Sequence, residues 1–266
     1  MAQKPQWAIE RDRARKNGPD PVWLFGLHAV RDALANPART VHRLVLTRNA
    51  ADRLGEVLAA AGSEPEIADA RRFPVPLDPG SVHQGAALLV DPLDWGTLDP
   101  LCVPTADRPD PVVVLLDQVT DPHNVGAILR SAEVFGARAV IAPRRHAAPE
   151  TGALAKAASG ALERQPYLRV RNLAAAMEEL AGLGYALIGL DGQGTAALDT
   201  ALDTSKGRPI GLVLGAEGPG LRQRTRSLCD ILARIDPAGD FGSLNVSNAA
   251  AVSLYATTKI AKNFSD

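Results

Sequence analysis

Residues 111–143 read PVVVLLDQVTDPHNVGAILRSAEVFGARAVIAP, and this stretch decides the fold. It opens with a continuous apolar run, PVVVLLDQV, the pattern of a strand buried on both faces. DPHNVGAILRSAEVFG follows with helical spacing. Asp121 is the expected N-cap, Pro122 takes the first helical position and Gly136 ends the helix. Val125, Ile128, Leu129, Ala132 and Phe135 share one face, which is the core face. ARAVIAP is again a strand. Two apolar strands joined by a helix predict a parallel sheet covered by helices.

The alternation continues to the end of the chain. ETGALAKAASGAL and NLAAAMEELAGLG are helical, with the strand PYLRV between them. YALIGL and PIGLVLG are strands, LRQRTRSLCD is a short helix, ILARI a strand, and SLNVSNAAAVSLYATTKI the last helix. Residues 111–266 thus form one α/β domain. Upstream, residues 21–93 form a smaller α/β unit. It contains the helix GLHAVRDALAN, the strand VHRLVLT, the helix AADRLGEVLAAAG ending at Gly62, and the strand GAALLV. Residues 94–110, rich in Pro and Asp, carry neither period and read as a linker. Residues 1–20 are polar and basic and read as a flexible tail.

Hydrophobic residues make up 46% of the chain and aromatics only 4%, so Val, Leu, Ile and Ala must build the core. The formal net charge of −1 excludes a bulk polycation that coats nucleic acid. The charge is uneven: residues 1–75 carry +3, residues 76–125 carry −7 and residues 126–266 carry +3. A nucleic-acid partner is therefore allowed through local patches. Arg11, Arg13, Arg15, Lys16, Arg43, Arg48, Arg71 and Arg72 are candidate phosphate contacts. Two cysteines, Cys102 and Cys229, are too few for a disulfide framework and read as reduced thiols. No secretory h-region and no apolar run of membrane-spanning length occurs, so a cytoplasmic protein without a membrane partner is expected. The five histidines lack metal-ligand spacing, so no metal is expected.

In parallel sheets ligands bind beyond the carboxyl ends of the strands. Three loops there have unusual composition. The first places Asn124 at a helix start, where backbone N–H groups suit an anion, with Arg130 on the polar face of the same helix. The second is LVLGAEGPGL, where Gly215, Gly218 and Gly220 surround Glu217 between a buried strand and a helix. The third, DPAGDFGSLNVSNAAAV, sets Ser243, Asn245, Ser247 and Asn248 at the start of a helix of small residues. Capping needs only one of these four. GLDGQGTAA nominally matches a dinucleotide fingerprint through Gly192, Gly194 and Ala197. It falls late in the domain and weak helix signals follow it, so a nicotinamide enzyme is the weakest alternative.

In this order, NVGAILRSAEVFGA, LVLGAEGPGL and ARIDPAGDFGSLNVSNAAAV resemble the three motifs of the SpoU/TrmH family of RNA ribose 2′-O-methyltransferases. FGLHAV and HQGAALLV are similar to the start and end of that family's N-terminal substrate-binding domain, which has an L30e-like fold. The resemblance implies a SPOUT-type α/β catalytic domain with a C-terminal trefoil knot, S-adenosyl-L-methionine as cofactor, no DNA partner and a homodimer. It implies methylation of a ribose 2′-OH of large-subunit rRNA, in the nearest branch a guanosine of the peptidyl-transferase loop. The family's catalytic residues map onto Asn124, Arg130, Glu217, Ser243 and Asn245. Its cofactor-binding residues map onto Leu214, Gly215, Glu217, Gly220, Ile235, Pro237, Ser243 and Leu244. Two departures stand out. Asp236 follows Ile235 where the family has proline, and Asn248 stands where it often has valine. A tRNA ribose methyltransferase and a non-catalytic RNA-binding protein of the same fold remain the alternatives.

Overall fold

The structure is a computed structural model that describes residues 20–78, 80–239 and 243–262, with side chains to residue 259. The basic tail, with Arg11, Arg13, Arg15 and Lys16, lies outside the described residues. The chain divides into two units. The smaller takes residues up to 94 together with 150–156, and the larger takes 95–149 and 157 onward.

In the smaller unit, β1 (Val22–Phe25), β2 (Val41–Leu46), β3 (Glu66–Ile67) and β4 (Ala86–Val90) form a sheet in the order β1-β4-β2-β3. β4 runs antiparallel to both its neighbours, and β2 pairs parallel with β3. Helix α1 (Leu27–Ala35) buries Leu27, Val30, Ala33 and Leu34. The single helix expected over AADRLGEVLAAAG is two short helices, α2 (Arg48–Arg53) and α3 (Gly55–Ala61). Leu54, with φ −102° and ψ 6°, leaves the helical region between them, and its buried side chain fixes the bend. Gly62 ends α3 in the left-handed conformation at φ 59°, as its sequence position predicts.

The larger unit begins with α4 (Leu98–Cys102), inside the segment that sequence reads as a linker. Leu98 and Cys102 enter the core, and Cys102 O accepts from Tyr185 Oη at 2.7 Å. The elements that follow along the chain are β5 (Val112–Asp117), α5 (Pro122–Val134), β6 (Ala139–Pro143), α6 (Gly152–Ala158), most of which belongs to the smaller unit, and β7 (Tyr167–Val170). Then come α7 (Leu173–Gly182), β8 (Ala186–Leu190), β9 (Ala196–Ala197), α8 (Leu198–Thr204), β10 (Ile210–Gly215), α9 (Gln223–Ser227), β11 (Ile231–Arg234) and α10 (Val246–Lys262). Seven strands form one sheet in the order β7-β6-β5-β10-β8-β11-β9, and every pair is parallel.

Val113 and Leu115 of β5 face a core layer completed by Ile141, Val213, Met177 and Leu180. Val114 and Leu116 alternate to the other face and are equally buried. α5 and α10 pack on each other, and α10 also meets β10 and α8. α10 buries Ala250, Ser253, Leu254 and Thr257 against these neighbours. No helix of the described residues is long and apolar enough to cross a membrane.

Candidate active site at the carboxyl ends of β8, β10 and β11

β8, β10 and β11 stand near one another in the sheet, so the loops leaving their carboxyl ends converge. They enclose a cavity of about 840 Å³, in the size range of sites for nucleoside-like ligands. Its apolar lining includes Leu190, Leu214, Ile235, Leu244 and Val246. Backbone of the glycine loop 215–220 supplies much of the rest.

That loop folds back on itself: Gly220 N donates to Ala216 O at 2.9 Å, and the two residues form an isolated bridge. A Cβ on Gly215 would lie 2.2 Å from the carbonyl carbon of Gly220, so only glycine permits the fold-back. Gly218 and Gly220 carry φ of 86° and 68°, the left-handed region. The loop's far end is tied to the sheet. Asp117, fully buried at the end of β5, accepts from Arg222 N at 2.9 Å and from Arg222 Nε at 2.7 Å.

The three loops singled out by sequence meet at one carboxylate. Glu217 Oε1 accepts from Asn245 Nδ2 at 2.6 Å, from Asn124 Nδ2 at 3.2 Å and from Val246 N at 3.5 Å. Asn245 Nδ2 also donates to Asn124 Oδ1 at 3.0 Å, which closes a triangle of side chains drawn from three distant segments. Asn124 reaches it from the third position of α5, whose start is fixed by Asp121 Oδ1 accepting from His123 N at 3.0 Å. Asn245 is the cap of α10: its Oδ1 accepts from Ser247 N at 2.8 Å and from Ser247 Oγ at 2.5 Å. The helix therefore starts two residues later than the serine-led reading, and Ser243 lies in the cavity wall before it. The cluster of polar residues divides its work: Asn245 caps and bridges, Ser247 braces Asn245, and Asn248 is exposed away from the cavity lining.

Of the expected cofactor contacts, Leu214, Gly215, Glu217, Gly220, Ile235, Ser243 and Leu244 line the cavity. Pro237 does not. Asp236 also lies off the wall and pairs with Arg234 Nε at 2.7 Å. Arg130 is not brought to the triangle. It is exposed on α5 and its guanidinium has no partner among the described residues. In the smaller unit Arg43 is held by Glu66 at 2.7 Å, whereas Arg48, Arg71 and Arg72 are exposed.

Sequence reading missed the fourth wall. Leu190, Asp191, Gly192 and Gln193 belong to the stretch that mimics a dinucleotide fingerprint, and they line this cavity instead. Ala197 lies in the edge strand β9 and not in the first turn of a helix, so the fingerprint geometry is absent. Asp191 pairs with Arg226 of α9, and both line the cavity. A glycine-rich loop after an apolar strand was the available signal, but only the strand order puts β8 beside β10.

Residues 111–255 match the SpoU rRNA methylase family, and residues 23–95 match the RNA 2′-O ribose methyltransferase substrate-binding family. The 23S rRNA (guanosine-2′-O-)-methyltransferase RlmB of Vibrio cholerae is 38% identical over 240 residues, covering 87% of this chain and 94% of that protein. The corresponding protein of Ralstonia nicotianae is 40% identical over 240 residues, covering 87% and 93%. Among solved structures, the SpoU methyltransferase AviRb from Streptomyces viridochromogenes, in complex with the cofactor AdoMet, superposes with a TM-score of 0.75 at 26% identity over 96% of each chain. Two matching modules, near-full-length relatives and the meeting of three motif loops at Glu217 lead to one conclusion: the chain belongs to the SpoU rRNA methylase family.

Proposed function

We propose that this protein transfers the methyl group of S-adenosyl-L-methionine to the ribose 2′-hydroxyl of a guanosine in 23S rRNA, within the peptidyl-transferase loop. The observation that carries this reading is the triangle in which Asn124 bonds to Glu217 and Asn245, the latter two on the wall of the cavity. The near-full-length relatives named for this activity, and the cofactor-bound relative of the same fold, supply the substrate and the cofactor.

The residues present fit the cofactor. Leu190, Leu214, Ile235 and Leu244 give apolar contacts for an adenine, and the glycine loop exposes backbone groups to its polar edge. Bound there, the cofactor supplies an electrophilic sulfonium methyl, so the protein's task is alignment and proton handling. Glu217 Oε1 is occupied by Asn124, Asn245 and Val246, which fixes the carboxylate plane. Glu217 Oε2 has no partner among the described residues and is the acceptor available to the substrate 2′-OH. Ser243, on the wall, offers a hydroxyl to the ribose. Arg130 acts as an electrostatic clamp on the target phosphate or the developing 2′-oxyanion. A guanidinium, which stays protonated, makes a poor base.

The clamp requires a second copy of the chain. Arg130 shares a face of α5 with Val134, one turn further on, and Val134 is 70% exposed. Val252 and Tyr255 of the neighbouring α10 are 43% and 50% exposed, and Tyr255 meets Phe135 edge-on at 6.0 Å. We read this apolar patch as a homodimer interface that presents Arg130 to the partner's cavity. The insertion of β10 between β5 and β8, and of β11 between β8 and β9, supports a C-terminal trefoil knot threaded by α10. The smaller unit is read as an L30e-like domain that docks the RNA, and the compartment as the cytoplasm.

Rate measurements with equimolar unmodified 23S rRNA and bulk tRNA transcripts test the substrate assignment. Labelled methyl is expected in the 23S transcript alone. Preferential labelling of tRNA would reassign the protein to tRNA ribose chemistry.

A further inference from the structure

The arginines of the larger unit fall into two groups. Nearly all end on a protein acceptor: Arg222 on Asp117, Arg224 on Glu178, Arg234 on Asp236, Arg138 on the carbonyl of Leu101. Among the described residues of this unit only Arg130, Arg145 and Arg171 leave the guanidinium without one. Arg130 has its place in the proposed reaction. Arg145 and Arg171 do not, and they stand together by topology. Arg145 lies in the loop leaving β6, and Arg171 follows β7, the neighbouring parallel strand.

The loop that carries Arg145 is built to hold its shape. Arg169 of β7 donates from Nη1 to Ala148 O at 2.8 Å and from Nη2 to Arg144 O at 2.9 Å. Tyr167 Oη donates to the same Ala148 carbonyl at 2.8 Å, and Arg144 N donates to Val170 O at 2.7 Å. Two arginines thus brace a backbone from which Arg145 and His146 project to solvent, His146 with a φ of 60°. Segments 144–149 and 167–172 contain four arginines and no carboxylate. A braced loop that displays unpaired guanidinium groups suits an extended anion. All strands are parallel, so this rim lies on the same sheet edge as the cavity. With strands about 4.8 Å apart, β6 and β7 stand roughly 10 and 14 Å from β10, a few nucleotides along a polynucleotide strand.

We propose that Arg145 and Arg171 grip the phosphate backbone of the substrate RNA beside the target nucleotide, on the catalytic unit itself. The proposal rests on the rRNA-methyltransferase reading. Guanidinium forks match phosphate geometry, and single-strand contacts of this kind make binding salt-dependent without reading sequence.

The test uses the full chain and an unmodified 23S rRNA transcript, titrated across a range of salt. Arg145→Ala/Arg171→Ala should weaken RNA binding about tenfold or more near physiological salt. The slope of log K against log salt should become shallower by about 1.4, the release expected from two single-strand phosphate contacts. Cofactor affinity should not change. Arg164→Ala, a cation paired with Glu133 just before the amino end of β7, should leave RNA binding intact. A double variant with wild-type affinity and slope would overturn the proposal while leaving the methyltransferase reading standing. A wild-type protein that binds no RNA would overturn both. A double variant that also loses the cofactor marks general damage; Arg145→Gln/Arg171→Gln, which keeps size and removes the charges, then decides, since weakened RNA binding with cofactor affinity intact supports the grip and wild-type RNA binding refutes it.

Discussion

Glu217 is the residue on which the site turns, because a single carboxylate oxygen collects donors from two other motif loops. Replacing it with glutamine keeps the size but removes the charge and puts an amide among amide donors. Glu217→Gln is expected to lower the methyl-transfer rate by about two orders of magnitude or more, while cofactor affinity by calorimetry stays within a few-fold. Near-wild-type turnover would remove Glu217 from proton handling. Arg130→Lys separates the two roles considered for that position. It retains charge and loses the bidentate fork, so a bidentate clamp predicts a comparable loss of rate; full activity would rule that clamp out. Asn245 combines a cap and a bridge, and Asn245→Ala should cost about 1 kcal/mol in denaturant unfolding from the cap alone. Its loss of activity should be larger than that stability change explains.

At the scale of elements, the loops matter more than the helices they join. Gly215→Ala forces a Cβ to 2.2 Å from the Gly220 carbonyl carbon, so the fold-back from Ala216 to Gly220 must open. The expected outcome is loss of cofactor binding in calorimetry with the far-ultraviolet circular dichroism of the wild type. Tight binding by this variant would show that the loop is not part of the pocket. Strands and helices here were legible because β5, β6, β8 and β10 are unbroken apolar runs and α5 is punctuated by Asp121, Pro122 and Gly136. Other features were not. The bend at Leu54 depends on burial of one side chain, and α4 forms in a proline-rich segment because Leu98 and Cys102 complete a core whose other members are spread from Val113 to Leu221. Asn245 as the cap could not be separated from Ser243 by composition, since both residue types cap well. The candidate site was legible as three motif loops, but their meeting at Glu217, and the Leu190–Gln193 wall, follow from strand order.

At the scale of the molecule, desolvation of two thiols, Cys102 buried and Cys229 half-buried, sets an alkaline limit. Desolvation first, with lesser charge effects from neighbours, pushes Cys102 up to about 12 and Cys229 up to about 12. The unfolded thiols titrate near the ordinary value, so above about pH 9 the unfolded state releases protons that the folded state keeps. Stability is full below that pH and falls as pH rises toward 12. Thermal unfolding should record this decline from about pH 9, and Cys102→Ala/Cys229→Ala should lessen it, leaving the part due to the Tyr185 phenol, which burial also raises. The proposed homodimer is tested at the same scale. Val134→Glu places a charge in the exposed patch of α5 and α10 and should shift the protein to monomer in sedimentation. It should lose methyl transfer with its cofactor site intact; an active monomer would remove the partner from the site. The central claim is tested most directly by the reaction product. Full-length protein, labelled S-adenosylmethionine and unmodified 23S rRNA should yield one methylated nucleoside, 2′-O-methylguanosine, mapped to a single position and absent with Glu217→Gln. Methyl groups found only on bases, or no transfer by a protein that binds the cofactor, would contradict the account.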